Sequence, residues 1–145
     1  MTPGVRGWLG VSAAAAAGAV PVAWLLARFG YGMPAVEPLR DLPLLALLAI
    51  AEEVVFRGGL QSWLLTKPAL ARHRFGVSAA NALTSVVFSA AHLGAHAPLQ
   101  ALGVLPVSLL LGASLERSRR LWVPAALHVW FNVALYAASW VQRGI

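Results

Sequence analysis

The chain has 145 residues, of which 59% are hydrophobic and only 11% charged, with a formal net charge of +6 and a mean hydropathy of +0.73. Ordinary soluble domains carry about 25% charged residues, so this composition excludes a water-soluble enzyme, a disordered chain and a nucleic-acid module. The eleven Lys/Arg are scattered between apolar runs, as in the loops of a membrane protein, and with no cysteine there is neither a disulfide nor a thiol nucleophile.

A bilayer core takes about 20 apolar residues as a helix. In chain order the candidate spans are 8–29, 42–65, 77–94, 98–115 and 121–141, joined by short connections. The first is Ala-rich and resembles a signal peptide in its early part, but the apolar run continues to Phe29, which favours a retained helix. The second contains Glu52, Glu53 and Arg57, the third ends at His92, the fourth is almost free of polar groups, and the fifth contains His128 and Asn132. The fold expected is all-α: one polytopic membrane domain over 1–145, a bundle of about five transmembrane helices.

Lys/Arg counts on alternating sides orient the bundle. One side collects Arg6, Lys67, Arg72, Arg74, Arg117, Arg119 and Arg120; the other collects Arg28, Arg40 and Arg143. Seven against three puts the N-terminus in the cytoplasm of a multi-pass cell-membrane protein. Trp8, Trp63, Trp122 and Trp140 fall at span boundaries, as an aromatic belt requires. Ala79, Ala80, Ala90, Ala91, Gly112 and Ala113 are small enough for close helix packing.

An ionisable group in hydrocarbon costs about 2.5–3.5 kcal/mol on insertion scales, and the second span holds three in six positions. Glu53 and Arg57 are i,i+4 and share a helix face, so they form a pair. Glu52 lies roughly 140° around an ideal helix from Arg57. Both carboxylates neutralising Arg57 as a buried triad is the alternative, although such triads have a poor energetic rationale. His128 and Asn132 are also i,i+4, on one side of the last span, whereas His73 and His96 fall in connections and receive no role.

A desolvated carboxylate beside a neutral imidazole activates water, and a His–Asn pair supplies donors for a developing oxyanion. Together they suit acyl hydrolysis without a covalent intermediate. HExxH, a GxSG-type serine loop and GxGD are all absent, and Asp41 is the sole Asp.

Three motifs occur in order: Glu52-Glu53-Val-Val-Phe-Arg57 followed by Gly58, Phe88-Ser-Ala-Ala-His92, and His128-Val-Trp-Phe-Asn132. They resemble the EExxxR, FxxxH and HxxxN motifs of the CAAX-protease and bacteriocin-processing (CPBP, or Abi) family of intramembrane glutamic proteases, over roughly residues 42–135. The resemblance implies a motif core on helices two, three and five. It also implies Glu52 as general base, His92 holding and polarising the water, and His128 with Asn132 as the oxyanion site. Glu53 and Arg57 then orient the active helix, with Phe88 packing nearby.

No cofactor and no metal are expected; the partners expected are the lipid bilayer and a membrane-anchored or hydrophobic peptide cleaved near a terminus, with processing of a C-terminal sorting signal of the JDVT-CTERM kind as one option. A metal-dependent membrane hydrolase and a non-catalytic bacteriocin-immunity or assembly protein stay open as alternatives. Counted from span ends, Glu52, His92 and His128 differ in depth by roughly 10 Å, so tilt or shifted boundaries must bring them together.

Overall fold

The computed structural model describes residues 3–28, 38–74, 76–94 and 97–142. Helix α1 runs Pro3–Arg28 and α2 runs Pro38–Glu53. The chain then continues without a break as a π-helix, Val54–Gln61, and a last α-helical turn, α3, Ser62–Leu65. Strands β1 (His73–Arg74) and β2 (Val77–Ser78) form a small antiparallel hairpin, pairing His73 with Ser78 and Arg74 with Val77. Helix α4, Ala79–Ala91, ends in a 3-10 turn, His92–Gly94; α5 is Pro98–Ser118 and α6 is Trp122–Gln142.

The architecture is all-α, as expected, and each candidate span lies largely on a helix, although Phe29 lies outside the described residues and the third span opens with β2. Three local features depart from expectation. The 66–76 connection contains the hairpin. The second span is not uniformly α-helical. Helix α5 extends beyond Leu115 to Ser118, which places Glu116 on a helix rather than in a connection. Among the described residues, α5 is the helix long and apolar enough to cross a membrane, with a mean hydropathy of 1.6; Ala13–Arg28 is a shorter apolar helix.

The chain divides into two compact units, residues 1–51 with 125–145 and residues 52–124. In the first, α1 and α6 pack through alanines: Ala23, Ala134 and Ala138 form the buried cluster, with Ala19, Ala27 and Leu135 against it. Small side chains let the backbones approach, and van der Waals contact rather than hydrophobic transfer then holds the helices together. Two side-chain bonds tie α6 to α1: Trp130 Nε1 donates to Ala16 O (2.8 Å) and Gln142 Nε2 to Trp24 O (2.6 Å).

The second unit reverses the usual distribution of polarity. Its fully buried side chains include Glu53, Arg57, Gln61, Ser78, Asn81, Thr84, Ser85 and Ser108, while Val54, Val55, Leu83, Val86, Val87 and Leu102 face outward. Helices α4 and α5 run antiparallel, and Ser89 Oγ donates to Ala101 O near one end of the pair while Asn81 Nδ2 donates to Leu109 O near the other. Ser78 caps α4 by accepting from Asn81 N (2.9 Å). Of the small residues named above, Ala80, Gly112 and Ala113 are buried, whereas Ala79, Ala90 and Ala91 lie outward.

Gly112 is the closest approach. A Cβ there would overlap Asn81 Oδ1 and lie 2.8 Å from Gln61 Oε1. Gly112→Ala is therefore expected to lower stability by about 1–3 kcal/mol through overpacking. Gly18→Ala in α1, where a Cβ meets nothing within 4 Å, should be neutral or stabilising by about 0.5–1 kcal/mol. Thermal unfolding of both variants in detergent checks the pair.

Candidate active site

The buried stripe of the second span reads Glu53, Arg57, Gln61, Leu64, a spacing of four, four and three. Its centre is the Arg57 guanidinium, wholly enclosed. Arg57 Nη1 pairs with Glu53 Oε1 at 3.2 Å, the i,i+4 pair expected from spacing. Nη2 donates to Ser108 Oγ (2.8 Å) and to Ser108 O (3.0 Å) on α5. The guanidinium also lies over the Phe88 ring of α4, 4.6 Å from its centroid. Carboxylate, hydroxyl, carbonyl and π-face stand in for part of the water that this cation has lost, with Nε buried and making no hydrogen bond.

Phe88 carries the contact on to His92. Phe56 meets Phe88 edge-on at 4.8 Å, and the Phe88 and His92 rings are 4.6 Å apart. His92 Nδ1 stands 2.8 Å from Phe88 O. A carbonyl only accepts, so Nδ1 is the donor. Phe88, one turn before His92, thus touches both the His92 ring and the Arg57 guanidinium.

Glu53 is fully buried and Glu52, one residue earlier, is half-buried. The angle of roughly 140° assumed α-helical winding, whereas π-winding from Val54 onward turns less per residue. Glu52 is consequently nearer in azimuth to Arg57 than an ideal helix would place it. In the other unit, His128 is buried and Asn132 half-buried, one turn apart on α6. The structure therefore links Glu53, Arg57, Phe88 and His92 by direct contact, and carries the His128/Asn132 pair on a separate unit.

A second polar layer lies one turn further along and was missed in the sequence. Gln61 Nε2 donates to Gly112 O (3.1 Å) and to Glu116 Oε1 (2.8 Å). Glu116 Oε1 also accepts from Ser78 Oγ, and Glu116 Oε2 meets His73 Nε2 at 2.8 Å. Glu116, 6% exposed, thus gathers the π-helix, the α4 cap and the hairpin; His73, given no role above, is its partner at the surface, 51% exposed. The available signal was the four-residue repeat Ser108, Gly112, Glu116 on α5, matching Arg57 and Gln61. Among the described residues no group of three or more His, Cys, Asp or Glu is placed to hold a metal ion.

Residues 36–134, more than half of the chain, match the family described as Rce1-like, type II CAAX prenyl endopeptidase. The chain belongs to this family, a family of membrane-embedded CAAX-type peptidases. Comparison with curated proteins and with solved structures gave no match.

Removing either member of the buried pair strands the other. Glu53→Gln and Arg57→Ala should each cost about 3–5 kcal/mol, seen as poor accumulation and a lowered melting temperature. Ser108→Ala keeps the backbone acceptor and should cost less, about 1.5–3 kcal/mol for one lost bond to a charged group. Melting temperatures of the three variants, measured side by side, check the ranking.

Proposed function

We propose that this protein is an intramembrane endopeptidase of glutamic type, hydrolysing a peptide bond near a terminus of a membrane-associated substrate. The observation that carries the reading is the division between two adjacent carboxylates: Glu53 is closed off on Arg57, while Glu52 is half-buried beside it. A general base must be reachable by water and substrate, and Glu52 meets that requirement where Glu53 does not.

In this mechanism Glu52 takes a proton from water as the water attacks the scissile carbonyl. His92, held through Nδ1 and stacked on Phe88, presents Nε2 to the same water. His128 and Asn132 donate to the oxyanion as it develops. Glu52 then returns the proton to the departing amine. Glu53 and Arg57 hold the active helix in register, and Phe88 stands between guanidinium and imidazole and touches both. No cofactor is required by these steps.

The apolar outer faces and polar interior of unit 52–124 support a multi-pass membrane placement of the single domain. The excess of Lys/Arg in the 66–76 connection and at 117–120, the end of α5 and the turn after it, favours an N-terminus in the cytoplasm. The substrate class is a membrane-anchored or hydrophobic peptide, a C-terminal sorting signal being one form it can take; nucleic acid has no part. The alternative is a non-catalytic protein in which both glutamates serve only to neutralise Arg57.

Glu52→Gln separates the two. It keeps shape and hydrogen bonding but removes the base, so turnover per folded molecule should fall by about 10²–10⁴-fold with the melting temperature nearly unchanged. Wild-type turnover in a well-folded Glu52→Gln protein overturns the glutamic mechanism. A loss of folding equal to that of Glu53→Gln supports the structural triad. Activity that survives exhaustive chelation, with no metal by elemental analysis, sets aside the metal-dependent alternative.

A further inference from the structure

Between residues 58 and 124 the chain carries six Lys/Arg, namely Lys67, Arg72, Arg74, Arg117, Arg119 and Arg120, against a single carboxylate, Glu116. That carboxylate is enclosed and engaged by Gln61, Ser78 and His73. The stretch therefore carries a large net positive charge.

The fold collects these cations at one end of the 52–124 unit. Ala79 N donates to Arg72 O and Ala80 N to Leu70 O, which folds the segment after α3 onto the start of α4. Arg117 Nη2 donates to Gly76 O (3.0 Å), fastening the end of α5 to the hairpin that carries Arg74. Leu121, following Arg119 and Arg120, packs against Gly58, where an added Cβ would lie 3.2 Å from it. Lys67, Arg72, Arg74, Arg119 and Arg120 are all exposed.

Two tryptophans stand at the same end. Trp63 is 59% exposed with Lys67 Nζ 5.2 Å from its ring centroid, and Trp122, 63% exposed, opens α6 directly after the Arg119–Arg120 turn. Exposed indoles beside cations, with apolar helix faces behind them, are the arrangement that settles at a headgroup boundary. Arg119 adds an independent sign. It occupies the left-handed region at the α5 C-cap, φ 54°, where glycine is the unstrained residue. The position holds an exposed cation at the expense of the helix stop.

We infer that this basic, tryptophan-flanked end is a binding surface for anionic phospholipid headgroups, engaging them through Lys67, Arg72, Arg74, Arg119 and Arg120. The inference rests on the membrane placement of the family and is independent of the peptidase chemistry. Each such cation strengthens association with an anionic leaflet roughly five-fold, and salt screens the effect within a Debye length.

The test uses the full chain in detergent micelles and a quadruple variant, Arg72→Gln, Arg74→Gln, Arg119→Gly and Arg120→Gln. It spares Arg117, which the hairpin needs. Binding of dansyl-labelled phosphatidylglycerol and of dansyl-labelled phosphatidylcholine is read by energy transfer from tryptophan. Arg119→Gly alone should leave the melting temperature equal or higher, which shows that the turn survives loss of its cation. Wild type should prefer phosphatidylglycerol by at least about ten-fold, with the preference collapsing in high salt, and the variant should show nearly none. Equal binding of the two lipids by wild type, or an unchanged preference in a folded variant, overturns the proposal. So does salt-sensitive capture of a poly-glutamate peptide that phosphatidylglycerol fails to displace, since the surface would then belong to an acidic polypeptide.

Discussion

The organisation of residues 52–124 depends on the burial of one guanidinium. Arg57 has five N–H donors and a charge that no pH in the biological range removes, and it is enclosed completely. A cation in that position must be met from several directions. Glu53 meets it from the same helix, Ser108 from α5 with both hydroxyl and carbonyl, and Phe88 from α4 with its ring face. Three elements are thereby held at fixed mutual positions, and His92 is oriented because it leans on the same Phe88.

The π-helix follows from this demand. In an α-helix, residues four apart drift by about 40° per step, so Glu53, Arg57 and Gln61 would spiral away from any straight partner. π-winding advances less per residue and keeps the three more nearly in line. Arg57 then reaches Ser108 while Gln61, one turn on, reaches Gly112 and Glu116. The matching four-residue spacing on α5 makes the two helices a parallel ladder of polar rungs. Gly58 and Gly59 lie within the π segment, where their lack of side chains eases the unusual winding.

A polar ladder inside and valine, leucine and tryptophan outside is stable where the surroundings are hydrocarbon. In water the same surface would be a liability, while in a bilayer the interior polar groups gain from having no competing solvent. The same logic separates the two layers. The Arg57 layer is enclosed by α4 and α5, whereas the Glu116 layer ends at His73 on the exposed hairpin.

The sequence alone determined that the chain is all-α and roughly where its helices lie, because apolar runs here are interrupted by short polar connections. It also determined the Glu53–Arg57 pair and the grouping of His128 with Asn132, since i,i+4 neighbours share a helix face whatever the rest of the chain does. Tertiary structure alone decided which groups meet across helices. The spacing of Ser108, Gly112 and Glu116 is visible in the sequence, but nothing local to them or to His73 says which group each meets; that is decided because α5 packs in register against the π-helix and the hairpin folds back onto its end. Helical periodicity is encoded within a segment, but the register between segments is set by the cost of leaving a buried charge unsatisfied, and that cost exists only once the helices are packed.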